Sequence, residues 1–358
     1  MLGLTMNKSL GELALIERIR SGWPGGAAAR PARVPGVTLG IGDDCAILRP
    51  PRGHELLVTT DFSLEGRHFR RDWHPPESVG HRTLARGLSD LAAMGGRPLA
   101  AFLSLALPAE MLATPAGRRW VERFFAGLRA LAHLHAVPLA GGDTSESPGS
   151  HVLADIVLIG SAPVGRALRR STASPGDALY VTGALGGAAA ELAALEQRPH
   201  SRLPRVPASN HAAHPQLFPQ PRLAVGLALV RRGLATAAID LSDGLSTDLA
   251  HLCRESRVGA EISSAALPIH PLAQATPGRA LSLALNGGED YELLFAAPTT
   301  VRMPRSLAGV PITRIGTFRP GTAISLIDPA GSRHPLPPGG WQHFTGKQEP
   351  HDSSARRH

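Results

Sequence analysis

Apolar and polar positions alternate along the chain in two rhythms, one helical and one of strand period. Residues 10–20, "LGELALIERIR", repeat apolar side chains at helical spacing and predict a short amphipathic helix. "SGWPGGAAARPARVPG" reads as a loop. "VTLGIGDDCAILRP" and "HELLVTTDFSLEGRHF" read as two apolar strands, each ending in or near acidic residues. From Pro76, "ESVGHRTLARGLSDLAAMGG" returns to helical spacing and is closed by Gly95 and Gly96. "RPLAAFLSLALP" is a strand, and "PAGRRWVERFFAGLRALAHLH" a helix with Trp120, Phe124, Phe125 and Leu128 on one face. "AVPLAGGDTSES" predicts a strand running into a turn, and "HVLADIVLIGSAPVG" a further strand. The chain up to about residue 160 is therefore expected to form a β-rich α/β unit.

The second half opens on a basic turn and Pro175-Gly176-Asp177, which lead into the strand "ALYVTG" and a helix. Residues 196–221 are rich in Pro and His and read as a surface excursion. A helix over 222–232 precedes "AIDLSDGLSTDLAHL", where a strand runs through a turn into a helix. "GAEISSAALP", "ITRIGTF" and "AISLIDPAG" predict more strands. In "NGGEDYELLFAAP", Glu289 is expected at a strand mouth, with Tyr291, Leu293 and Phe295 on one face behind it. The domains are thus expected at 1–160 and 161–345, with a polar, disordered tail over 346–358.

Composition narrows the picture. Hydrophobic residues make up 43% of the 358, enough for a sizeable core, and at 4% aromatic that core must be aliphatic. The net charge of +8 raises nucleic acid as a partner, but of 37 basic residues only Lys8 and Lys347 are lysines, and the arginines are scattered. No recognition helix or stacked-aromatic pattern accompanies them, so no nucleic-acid partner is expected. Cys45 and Cys253 are too few and too far apart for a disulfide framework and fit a reducing compartment. The start turns charged before a signal-peptide core could form, and the longest apolar run is cut by Pro108 and Glu110. A cytoplasmic protein with no membrane partner is the expectation.

Candidate chemistry lies in acidic residues that recur at turns and element ends. They are Asp43-Asp44, Asp61, Asp90, Asp143, Asp240 with Asp243, and Glu289-Asp290, several beside glycines. Carboxylates converging from different loops repel one another unless cations fill the site. Mg²⁺ takes oxygen ligands and bridges one or two carboxylates to substrate phosphates. A Mg²⁺–polyphosphate centre is the reading these residues favour. Asp43, Asp177 and Asp248 read instead as helix caps or turn residues. Asp90 carries the most weight, because it falls within an apolar helix, where an unpaired charge is costly. The chain has no P-loop and no protein-kinase signature set, so phosphoryl transfer here would rely on metals and Arg.

The ordered set "GIGDDCAIL", "TTDFSLEGRHF", "LSDLAAMGGRP", "GGDTS", "GRALRRSTASPGDALYVTG", "AIDLSDGLSTDL" and "GGEDYELLF" resembles the thiamine-monophosphate kinases, from about residue 11 to 345. That family belongs to the superfamily of aminoimidazole-ribonucleotide synthetase. The resemblance implies an α/β (α+β), two-domain fold whose N-terminal strands help form an intersubunit barrel in a homodimer. It also implies direct in-line transfer of the ATP γ-phosphoryl to thiamine monophosphate, giving thiamine diphosphate, with several Mg²⁺ ions and no covalent intermediate. Carried across by motif, it makes Asp44, Thr59, Thr60, Asp61, Asp90, Asp143, Asp240 and Asp243 metal ligands. Gly142, Arg170 and Ser242 would contact ATP, and His68, Glu289 and Trp341 of "GGWQHF" would hold thiamine monophosphate. The family's usual hydroxyl directly after the strand Asp is replaced by Phe62, with Ser63 next. Two alternatives are another ATP-dependent synthetase of the superfamily and a non-catalytic nucleotide-binding protein. Against selenium chemistry, the N-terminal segment has no cysteine.

Overall fold

The computed structural model describes residues 12–21, 36–41, 43–197, 203 and 206–341. The first helix, α1 (Glu12–Ser21), is followed by a small hairpin of β1 (Val37–Leu39) and β2 (Ile47–Leu48). The stretch read as one strand is thus two short ones, because the acidic turn "DDC" interrupts it. Then come β3 (His54–Leu64), α2 (Pro76–Ala93), β4 (Arg97–Leu107), α3 (Ala109–Ala113), α4 (Pro115–Leu134), β5 (Leu139–Glu146) and β6 (Leu153–Pro163). β5 continues through "GGDTSE" where a turn was expected, since its backbone pairs in parallel with β4 over that length.

These four longer strands form one sheet in the order β3-β6-β4-β5. Its two faces differ. Leu57, Leu103, Leu105, Ile156 and Leu158 point inward to α2 and α4 and are buried. Leu56, Val58 and Phe62 project from β3 to the opposite side and are exposed. Strict alternation along β3 fixes this, so Thr59, Asp61 and Ser63 lie on the inward face while Thr60 and Phe62 lie outward.

The second half comprises β7 (Ala178–Thr182), α5 (Gly187–Glu196), α6 (Leu223–Arg232), β8 (Ala237–Asp240), α7 (Leu245–Ser256), β9 (Gly259–Ser263), α8 (Pro271–Gln274), α9 (Ala280–Asn286), β10 (Leu293–Ala297), β11 (Ser306–Leu307), β12 (Val310–Arg319), β13 (Ile324–Ile327) and β14 (Arg333–Pro335). Its sheet runs β14-β13-β9-β12-β7-β10-β8, with β11 on β12. Tyr291 lies before β10 rather than within it and takes a left-handed conformation (φ 49°), so Glu289 sits in a strained turn and not at a strand mouth. The excursion over 206–221 is anchored rather than superficial, for Leu217 and Phe218 are buried with Leu195 in a small cluster of their own. The expected disordered tail, and Phe344 before it, lie outside the described residues.

One hydrophobic core crosses the boundary between the halves. It joins α2 and the first sheet to Leu223, Leu229 and Val230 of α6 and to Ala238, Leu293 and Phe295 of the second sheet. Among the described residues no helix is long and apolar enough to cross a membrane. The helix contact at this boundary depends on Gly226, where a Cβ would stand 1.9 Å from the Ala92 carbonyl oxygen at the end of α2. That oxygen is backbone, so relief requires the helices to part. Gly226→Ala is expected to destabilise the protein by about 1–3 kcal/mol, read as a lowered urea midpoint. An unchanged midpoint would mean that α6 does not approach α2 this closely.

Candidate active site

α2 presents one stripe toward the second half, formed by Arg82, Arg86, Ser89 and Asp90 at helical spacing. Asp90 lies in the last turn of α2, half-buried, rather than in mid-helix. It accepts a hydrogen bond from the Thr59 hydroxyl of β3. Asp61, two residues further along the same face, meets the Arg86 guanidinium at 3.3 Å. From the second half, Asp240 ends β8 and is buried, not turned outward, because the Ser89 hydroxyl donates to its carboxylate at 2.8 Å.

These carboxyls sense one another. Burial, with Asp90 nearby, pushes Asp61 up to about 6 against the pull of Arg86. Burial and then Asp90 push Asp240 up to about 7, against the Ser89 bond and Arg170. Asp90 is raised too, chiefly by burial, and eased by Thr59, Arg170 and Arg86. Arg170 itself is exposed on its turn, but its charge reaches both Asp90 and Asp240. Asp248 is raised to about 8 by burial and by Asp240 and Asp243, while it accepts the backbone N–H groups of Asp243 and Gly244. It therefore shapes the turn, as expected.

Other candidates stand elsewhere. Thr60 donates to Asp155 at 2.7 Å on the outward face. Asp143 is exposed and pairs in register with Ser104, which faces Asp155 in turn. Gly142 is required by the sheet itself, since a Cβ there would meet the Leu103 carbonyl oxygen at 1.9 Å and its φ is +145°. Asp44 is exposed in the β1–β2 turn. Asp290 takes a capping role, accepting from the Gly186 and Ala188 N–H groups at the start of α5. Ser63 is buried on the side of Asp61, so a hydroxyl does occupy that face, while Phe62 is 61% exposed on the other.

A second group of residues adjoins the acidic one. Glu289 takes a left-handed conformation (φ 65°), fixed by its N–H on the Ser242 carbonyl at 2.8 Å. Its carboxylate receives Arg82 at 2.7 Å, Arg86 at 3.3 Å and the Gln216 amide at 2.9 Å. Burial alone would raise Glu289, but Arg82 and Arg86 outweigh it and hold the group at about 2. Arg82 also donates to the His68 carbonyl at 3.0 Å, and the His68 ring accepts the Leu64 N–H at 3.0 Å. The Trp341 N–H donates to the Asp243 carbonyl at 2.9 Å, just after Gly340 bonds Thr247. His68, Ser242, Asp243, Glu289 and the backbone of Trp341 are thus gathered through Arg82 and the β8–α7 turn.

Sequence reasoning missed Arg82, Arg86 and Gln216. The helical spacing of Arg82, Arg86 and Asp90 was the available signal for the first two. Nothing local marked Gln216. Among the described residues, no three His, Cys, Asp or Glu side chains stand together closely enough to hold one metal ion. The repelling carboxyls of Asp61, Asp90 and Asp240 are of the hard-oxygen type that suits Mg²⁺, and would hold it as an open site rather than an all-protein cage.

The family described as "AIR synthase related protein, N-terminal domain" matches residues 42–162, and its C-terminal domain counterpart matches 174–325. Thiamine-monophosphate kinase of Salmonella typhimurium is 42% identical over 286 residues, covering 78% of this chain and 84% of that protein. The crystal structure of thiamine-monophosphate kinase from Stenotrophomonas maltophilia is 37% identical, with TM-score 0.74, and covers 89% of this chain and 97% of its own. A structure described as "AaThiL complexed with AMPPCP and TMP" is 29% identical, with TM-score 0.70, covering 96% and 99%. The two-domain fold of this chain is that of the AIR synthase related proteins.

The charge cluster yields a pH prediction. Unfolded, Asp240 ionises near 3.8, whereas in the fold it does so near 7. Because the folded value is the higher one, ionisation works against the fold, by an amount that is absent below about pH 4 and grows until about pH 7. Asp240→Asn keeps an acceptor for Ser89. In EDTA it is expected to raise the unfolding temperature more at pH 8 than at pH 4.5. An equal effect at both would show that Asp240 is not held under repulsion.

Proposed function

The chain belongs to the thiamine-monophosphate kinase family, and from that membership we propose that it transfers the γ-phosphoryl of ATP to thiamine monophosphate, forming thiamine diphosphate and ADP. The observation that carries this reading is the union of a repelling carboxylate cluster with a guanidinium-bound turn between the two domains. Phosphoryl transfer needs charge neutralisation and in-line positioning more than covalent help from the protein. Thr59, Asp61, Asp90, Asp240 and Asp243 would hold Mg²⁺ there, and Asp44, Thr60 and Asp143 are assigned to the same cations by the motif match alone. Bound Mg²⁺ supplies neutralisation of the charge on the phosphate oxygens.

The chain's own residues supply the rest. Arg170, exposed and directed by charge toward Asp90 and Asp240, binds the nucleotide phosphates with Ser242 and Gly142. His68, Glu289 and Trp341 hold thiamine monophosphate. Glu289 is already paired with Arg82, so its value to a cationic ring depends on how much of that pairing the substrate displaces. The outward face of β3, with exposed Leu56, Val58 and Phe62, is assigned to a second copy, which makes the protein a homodimer with a shared barrel. The cytoplasm follows as its location.

The assay is ADP release from ATP and Mg²⁺ with thiamine monophosphate as acceptor. Asp61→Asn and Asp143→Asn are each expected to lower kcat by at least 100-fold while the unfolding temperature stays level or rises. Normal turnover in both variants would remove the metal assignment. An enzyme releasing ADP only with a ribonucleotide amidine would instead be a synthetase. For the dimer, Val58→Asp is expected to convert a dimer into a monomer in light scattering after size exclusion. A wild-type monomer would reject the barrel.

A further inference from the structure

Of the two α2 arginines that meet Glu289, Arg86 is the more loosely held, at 3.3 Å against 2.7 Å for Arg82. A guanidinium has five N–H donors. Nη1 of Arg86 donates to Glu289 at 3.3 Å and to the Tyr291 hydroxyl at 3.0 Å, and Nη2 donates to Asp61 at 3.3 Å. Its Nε is buried with no partner among the described residues. Both carboxylate contacts are longer than the roughly 2.7–2.9 Å of well-made charge-assisted bonds. Glu289 has a closer cation in Arg82 at 2.7 Å and an amide in Gln216, so it does not need Arg86 for its own neutrality. Asp61 has no other basic partner among the described ion pairs.

Two consequences follow from charge alone. A divalent cation held at Asp61 would repel Arg86, and Asp61 would no longer need it as a counter-ion. Nη2 so freed, together with the unfilled Nε, would present one edge of the guanidinium as a two-donor fork, the geometry that matches two oxygens of a phosphate. Arg86 stands between the carboxylates assigned to the cations and the turn assigned to the acceptor, which is where the two reacting phosphates must meet.

Resting on the kinase reading above, we infer that Arg86 is a phosphate-binding residue for the acceptor. In the metal-free protein it acts as the counter-ion of Asp61, and when cations enter it transfers to the phosphate monoester of the acceptor. It therefore selects the phosphorylated acceptor over the same molecule without its phosphate.

The test measures binding of thiamine monophosphate and of thiamine by calorimetry, with Mg²⁺ and a non-hydrolysable ATP analogue present, in wild type, Arg86→Lys and Arg86→Met. The affinity ratio of thiamine monophosphate to thiamine is expected to fall at least tenfold in Arg86→Met. Arg86→Lys should fall between, because an ammonium keeps the charge and loses the fork. It also covers the case in which Arg86→Met does not fold. An unchanged ratio in the variants, or equal weakening of both ligands, would overturn the inference and leave Arg86 as a brace for Glu289. A wild type that neither binds nor phosphorylates thiamine monophosphate would overturn the kinase reading instead.

Discussion

Arg82 is buried to within 3% of its side-chain surface and needs a carboxylate, and the one that meets it belongs to the other half of the chain. Burying a guanidinium is costly unless geometry and hydrogen bonds are good, and removing one member of such a pair typically costs about 3–5 kcal/mol. Arg82 meets the condition through Glu289 at 2.7 Å and the carbonyls of His68 and Gln216. Glu289 in turn can reach it only from a left-handed backbone conformation, unusual for a residue with a Cβ. The N–H of Glu289 on Ser242 and the N–H of Tyr291 on Leu241 hold that conformation. One ion pair therefore fixes the turn after α9 against the turn after β8, and both against α2.

Next to this attraction lies the opposite case. Within two turns of α2 the partner changes from Glu289 to Asp61 and Asp240, and the balance changes from paired to repelling. Glu289 is held near 2 by two arginines, whereas Asp240 is pushed to about 7 by burial and Asp90. The strong pair and the shared hydrophobic core keep the halves together despite the repulsion. The site can thus hold carboxylates that are individually unfavourable in the metal-free fold, a cost typical of functional clusters.

The sequence made much of this legible where function and local periodicity coincide. The β3 strand, the helical spacing of α2 and the β8–turn–α7 passage could all be read along the chain. The positions of the acidic motifs at turns and element ends could be read too, because Asp and Gly are ordinary turn residues. What could not be read depended on contacts between distant residues. Gln216 reaches Glu289 across 73 positions, and Arg82 across 207. The excursion over 206–221 looked superficial from composition. It is tied down by Glu191, which accepts the Gln216 N–H at 2.8 Å and pairs with His214 at 2.6 Å. The mispositioned Tyr291 has the same origin, because the alternation of Tyr291, Leu293 and Phe295 carried no trace of the left-handed turn that Arg82 and Ser242 impose.

The basic composition also gains a physical meaning from these contacts. Arginine outnumbers lysine throughout, and the arginines that matter most, Arg82, Arg86 and Arg222, are partly or fully buried against Glu289, Asp61 and Glu292. Arg222 meets Glu292 with two nitrogens, at 2.7 and 2.5 Å, while Thr182 donates to the same carboxylate. A lysine at such a position would supply charge without the second donor and would leave a carboxylate oxygen buried without a partner. The positive excess of the chain is thus a poor guide to an external polyanion. The arginines that shape the site serve internal carboxylates first, Arg82 and Arg86 at Glu289 and Asp61, and Arg222 at Glu292.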